Sequence, residues 1–138
     1  FVVVPSMDDP DSAPEGCTSL YVLEPAPNLQ VGRVDWDTEG PRLRSRMLAD
    51  LEAWGYPTTI RTEKMVTPQD WLDLGMAAGS PFALAHIFRQ TGPFRPSNID
   101  KRIKGVVFAG SSTIPGVGIP MVLVSGALAA RRVQDMAR

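Results

Sequence analysis

Apolar positions along the chain fall into short runs separated by turn formers, with one long uncharged stretch near the C-terminal end. Phe1-Val2-Val3-Val4-Pro5 and Thr18-Ser19-Leu20-Tyr21-Val22-Leu23 are β-branched and aromatic runs, and the Asp, Pro and Gly of residues 6–16 lie between them as a loop. This pattern predicts an antiparallel pair of strands. A helix is predicted from Pro41 to Trp54, because Leu43, Met47, Leu51 and Trp54 recur on one stripe. Pro41 suits a first helical turn, and Gly55-Tyr56-Pro57 stops the pattern. Ile60 to Val66 reads as a strand. Thr67 can cap a short helix that Pro68 opens and that runs through Trp71 and Leu74 to Gly75. Residues 79–96 show no clear period.

The segment from Gly105 to Ala130 holds no charged residue, so hydropathy alone would suggest a membrane span. Its internal punctuation points elsewhere. Val106-Val107-Phe108-Ala109 reads as a short buried strand, Gly110-Ser111-Ser112-Thr113 as a polar exit, and Ile114-Pro115-Gly116-Val117-Gly118-Ile119-Pro120 as a turn. Met121 to Val133 then reads as an apolar helix ending at Arg131 and Arg132, the charge favoured at a helix C-terminus. Strand, glycine turn and buried helix form the cofactor corner of a doubly wound sheet, where ligands sit beyond the carboxyl ends of strands. Gly116 and Gly118 let backbone N–H groups approach a ligand, and the following helix aims its positive end at the same place.

Composition narrows the classes. A length of 138 residues suits one domain, and the hydrophobic and charged fractions of 43% and 21% are those of an ordinary globular protein. Residues 1–60 hold ten acidic and four basic side chains, and residues 61–138 hold five and ten. This bipolar charge has no basic run interleaved with aromatics, which argues against nucleic-acid binding. The single cysteine, Cys17, excludes an internal disulfide and suits a reducing compartment; it reads as a partly buried thiol. The arginines at 42, 44 and 46 read as a solvated helix face, the alternative being a phosphate or lipid-headgroup patch. Asp8, Asp9 and Asp11 lack the Gly and Glu of a calcium loop. His86, the only histidine, has no partner carboxylate or second ligand nearby in sequence. No metal site is assigned. The opening apolar run lacks an initiator Met and a basic leader, and the chain is expected to be a fragment.

The glycine turn is not a complete dinucleotide fingerprint. In Gly116-Val117-Gly118-Ile119-Pro120-Met121 the sixth position is Met121 rather than Gly, and only seventeen residues follow it, too few for a second strand bearing a ribose-binding acid. What the geometry still offers is a helix N-terminus, suited to the other end of a flavin, where negative charge develops at N1 and O2 on reduction.

The run from Gly105 to Gly126, GVVFAGSSTIPGVGIPMVLVSG, closely resembles the C-terminal signature of bacterial-type phytoene desaturases. The resemblance extends through Tyr21-Val22-Leu23-Glu24-Pro25-Ala26-Pro27-Asn28-Leu29, Asp35-Trp36, Gly40-Pro41-Arg42-Leu43-Arg44, Thr67-Pro68, Gly79-Ser80-Pro81-Phe82, Gln90 and Phe94-Arg95-Pro96-Ser97-Asn98, in order and spacing. It implies an amine-oxidase-like flavoprotein that withdraws hydride equivalents from phytoene-like polyenes in carotenoid biosynthesis, with FAD as acceptor. It implies further that Gly110, Ser111, Pro115, Gly116, Val117, Gly118, Ile119, Pro120 and Met121 lie against the flavin.

The fold class that follows is α/β, or α+β in this piece. Antiparallel substrate-domain strands with helices would occupy residues 1–100, a substrate-binding, membrane-facing region, and residues 101–138 would supply the last strand, loop and helix of an FAD-binding doubly wound sheet. The expected partners are a hydrophobic polyene and, for the full-length protein, a membrane surface from the cytoplasmic side. The piece alone is expected to self-associate. At Ile114 the family more often has a polar residue such as His or Thr, so no acid–base role is given there, and no catalytic side chain is assigned to His86 or Arg95. Related flavoproteins that desaturate shorter precursors, or act as ketolases or isomerases, share such motifs. The rival reading is a non-catalytic accessory domain docking on membrane or partner chains, with a glycine turn that serves packing alone.

Overall fold

Each of the two N-terminal apolar runs contributes two residues to a ladder: β1 (Val2–Val3) pairs antiparallel with β2 (Tyr21–Val22), Val2 opposite Val22 and Val3 opposite Tyr21. The computed structural model describes residues 1–85 and 87–138, so His86 lies outside the described residues. These form two units, Phe1–Gly79 and Ser80–Arg138.

In the first unit the loop between the strands is more ordered than its composition suggested. Pro5 opens a single helical turn, α1 (Pro5–Asp8), and the Asp9 side chain caps a 3-10 turn over Pro10–Ser12 by accepting the Asp11 amide. The long helix α2 (Trp36–Ala53) starts five residues before Pro41, which therefore lies inside the helix and not at its first turn. The reason is Asp35. Its carboxylate accepts the Asp37 amide at 3.2 Å and the Thr38 hydroxyl at 2.6 Å, and Asp37 and Glu39 add acidic charge at the positive end. At the sixth helical position Pro41 removes the N–H that would bond the Asp37 carbonyl, and its ring crowds that carbonyl.

The end of α2 follows its sequence. The Gly55 amide donates to Glu52 and the Tyr56 amide to Leu51, with Gly55 at φ +83°, the paired bonds of a Schellman cap. Leu51 is buried, but Trp54 is 65% exposed and leaves the stripe. Residues 60–66 form no strand. They run beside α2 instead, where Glu63 forms a two-point ion pair with Arg44, one contact being 2.8 Å, and Met65 lies against Gly40. Arg42 and Arg46 also meet carboxylates, Glu39 and Glu24. The three arginines are thus a neutralised, solvated face; exposed pairs of this kind contribute about 0–1 kcal/mol each.

Helix α3 (Pro68–Asp73) has the predicted start, with a reciprocal capping box between Thr67 and Asp70. Gly79 closes the unit. A Cβ there would overlap the Pro68 carbonyl oxygen, so only glycine fits.

In the second unit, 3-10 turns at Phe88–Gln90 and Gly92–Phe94 lead into a segment that meets Val107. The expected strand at 106–109 is reduced to one antiparallel bridge, Ile99 to Val107, flanked by Phe108 amide to Asn98 carbonyl at 2.7 Å and Asp100 amide to Val106 carbonyl at 3.1 Å. A strand exists through its neighbours' hydrogen bonds, and these residues find one partner segment among those described. Helix α4 (Ile119–Met136) begins two residues earlier and ends three later than its apolar pattern, placing Arg131 and Arg132 ahead of the last turn. Among the described residues, no helix is long and apolar enough to cross a membrane, and Leu51 is the only buried hydrophobic side chain.

Candidate functional site

The polar exit and glycine turn, residues 110–118, run from the Val107 bridge to the start of α4. Three buried polar side chains fix the turn. Arg95 is 3% exposed and donates through Nε to the Thr113 carbonyl at 3.2 Å, through one terminal nitrogen to the Gln90 carbonyl at 3.2 Å, and through the other to the Ser111 carbonyl. Asn98 shares its two amide hydrogens among the Phe108 carbonyl at 3.0 Å, Thr113 Oγ1 and Ser125 Oγ, each at 3.2 Å, and the Ile114 carbonyl at 3.3 Å. Ser125, fully buried on α4, accepts the Gly110 amide at 3.0 Å and lies 2.9 Å from Thr113 Oγ1. Thr113 in turn donates to the Gly110 carbonyl at 3.1 Å. Each hydroxyl can donate once and accept twice, so with Ser125 donating to Thr113 both hydroxyls use every site they have.

Burying polar groups costs free energy unless they are bonded, and a saturated network of this kind specifies one arrangement. It draws loop carbonyls inward. The amides of Ser111, Ser112, Gly116, Val117, Gly118, Ile119 and Met121 have no acceptor among the described residues. Those of Ile119 and Met121 are at the N-terminus of α4, where the helix offers none. Gly110, Gly116 and Gly118 have φ of +117°, +145° and +104°, and a Cβ at Gly110 or Gly118 would meet nothing within 4 Å. The turn thus carries unpaired donors, has no side chain at Gly110 or Gly118, and is open where those side chains would begin.

The structure brings the nine expected contact residues into this one turn and the first helical turn. Ser111 presents its amide, Pro115 follows a cis peptide bond from Ile114, Gly116 is buried, and Gly118, Ile119, Pro120 and Met121 are exposed. Arg95, Asn98 and Ser125 carried no assigned role in the sequence. The available signal was a lone hydroxyl, Ser125, in the otherwise hydroxyl-free run from Ile114 to Val133.

Residues 5–134 match the family described as flavin containing amine oxidoreductase, and the chain belongs to it. Relatives include a "Phytoene dehydrogenase" of Streptomyces griseus, 48% identical over 96% of this chain and 27% of its own length. A "zeta-carotene-forming phytoene desaturase" of Myxococcus xanthus is 42% identical over 99% and 27%. A "4,4'-diapophytoene desaturase (4,4'-diaponeurosporene-forming)" of Staphylococcus aureus is 38% identical over 91% and 26%. The chain thus spans about a quarter of the length of these relatives. No solved structure matches it. Membership implies a flavin, FAD, as the cofactor of the full-length protein, and the open donor-bearing turn fits a flat, acceptor-rich ring edge.

Proposed function

We propose that this chain is the C-terminal part of an FAD-dependent desaturase that withdraws hydride equivalents from phytoene-like polyenes in carotenoid biosynthesis. The observation that carries the reading is the turn itself. Along Gly110, Ser111 and the run from Pro115 to Met121, the amides of Ser111, Gly116, Val117, Gly118, Ile119 and Met121 have no acceptor among the described residues, and Gly110 and Gly118 leave the backbone unobstructed, the surface a flavin edge requires. When bound, FAD accepts hydride from the substrate and gains negative charge at its N1 and O2 edge. The chain's own contribution is to hold N–H donors and a helix N-terminus against that edge and to keep side chains out of its way. No catalytic acid or base is assigned to this chain.

The domain reading goes with it. Residues 101–138 belong to the FAD-binding sheet, and residues 1–100 to the substrate-binding region, which meets the membrane from the cytoplasmic side. A polyene has no polar handle, so a site for it needs an apolar surface; the names of the relatives support this substrate class. The test is to express the full-length protein in a phytoene-accumulating bacterial host. Purified protein with stoichiometric FAD, and longer-wavelength polyenes in the extract, are expected. A colourless protein and unchanged phytoene would favour the accessory-domain alternative.

A further inference from the structure

The loop beside the glycine turn has its peptide groups turned by side chains that the flavin reading does not itself use. In a trans peptide the carbonyl of one residue and the N–H of the next point in opposite directions. The Ser111 carbonyl is held by Arg95, so the Ser112 N–H points away from the buried cluster. The Gly110 carbonyl is held by the Thr113 hydroxyl, itself 2.9 Å from Ser125, so the Ser111 N–H points away as well. Two successive amides facing one way make a concavity that favours negative charge.

We infer that Arg95 and Ser125 are positioning residues that turn the Ser111 and Ser112 amides outward as a two-donor nest for a negatively charged oxygen of the flavin dinucleotide. Arg95 is suited to this and lysine is not: its planar fork reaches the Gln90, Ser111 and Thr113 carbonyls at once, whereas an ammonium is a single point. Being 3% exposed, it is already covered by this chain, and among the described residues its partners are carbonyls and not a carboxylate. The inference rests on the flavin reading and deepens it. Two oxygens of the cofactor have the required charge: the pyrimidine edge, charged on reduction, and a phosphate, charged in both states.

The experiment uses the full-length protein as parent, with Arg95→Lys, Ser125→Ala and, as a variant destabilised in the other unit, Thr67→Ala, which removes the α3 cap. Each is measured for FAD affinity, flavin midpoint potential and Tm. Arg95→Lys and Ser125→Ala are expected to weaken FAD binding at least tenfold in one or both redox states, with Thr67→Ala binding as the parent does. A loss confined to the reduced state identifies the pyrimidine edge and appears as a fall in midpoint of about 30 mV per tenfold for a two-electron couple. An equal loss in both states identifies a phosphate. If Arg95→Lys does not fold, Ser125→Ala alone decides by the same readings. Affinity and midpoint within twofold of the parent in the folded variants, or an equal loss in Thr67→Ala, would overturn the inference. A parent that bound no FAD would fail at the level of the proposed function, before any variant was compared.

Discussion

At Gly118 the backbone stands at φ +104° with open space where a side chain would begin. Gly118→Val therefore meets no atom within 4 Å where its side chain begins, and its local cost is the strain of a β-branched residue at φ +104° and ψ 148°, backbone that essentially only glycine adopts, of order 1–3 kcal/mol. Pro120 fixes its own φ and restricts Ile119, so the turn has little freedom to adjust. The valine would fill the space assigned to the flavin edge and hold the helix N-terminus away from it. The dipole interaction lost is about 0.3–1 kcal/mol, up to ~2 in partly buried sites, so steric exclusion dominates. The full-length variant is expected to keep its circular dichroism spectrum while losing more than tenfold in bound FAD and in phytoene conversion; near-normal values of both would mean that Gly118 serves packing alone. The glycine spacing made this turn legible in the sequence. Its anchors were not, because Arg95, Asn98 and Ser125 meet the turn across separations of 12 to 18 residues, and contacts that distant leave no periodic trace.

Helix boundaries followed caps more closely than hydrophobic period. The Pro68 helix was legible because Thr67 can cap it and Pro68 suits its first position, whereas the start of α2 was misread at Pro41 because Asp35, the residue that caps it, precedes the apolar stripe. Residues 60–66 had strand composition but no strand beside them, and they lie instead against α2, where Glu63 meets Arg44 and Met65 approaches Gly40. The Thr67 cap also sets a pH dependence. The Asp70 carboxyl is held below its ordinary value of 3.8, first by the Thr67 hydroxyl and then by the Thr67 amide. A carboxylate with a depressed folded-state pKa stabilises the fold above its unfolded value, and that contribution is lost as pH falls through the lower folded value. In the full-length protein, protection of the α3 amides from hydrogen exchange, corrected for intrinsic rates, is expected to be flat above 3.8 and to fall below it. Asp70→Asn should lower protection above 3.8 and flatten the profile; an unchanged profile would mean that the cap contributes nothing.

On the scale of the whole chain, the family match and the exposed surface point the same way. Ile119 and Leu123, one helical turn apart on α4, are 78% and 69% exposed, and Phe88 and Ile103 of the same unit are exposed too. At about 25 cal/mol per Å² of apolar area, such side chains gain more by association than by remaining in water. The bridge at Val107 adds backbone with a partner on one side only. The unit that supplies the turn thus presents an apolar helix and an unfinished edge, the surfaces a doubly wound sheet would cover. The turn alone offers a few short-range donors to the cofactor, and in the desaturase reading the rest of the grip on its adenosine and pyrophosphate lies upstream. We therefore expect this 138-residue chain, purified by itself, to be colourless after incubation with FAD and to run as a dimer or larger oligomer. Light scattering across a concentration series, with and without a mild nonionic detergent, separates the causes: detergent should dissociate an assembly held by apolar surface. A monomer that stays monomeric at high concentration without detergent would mean that these apolar side chains do not drive association.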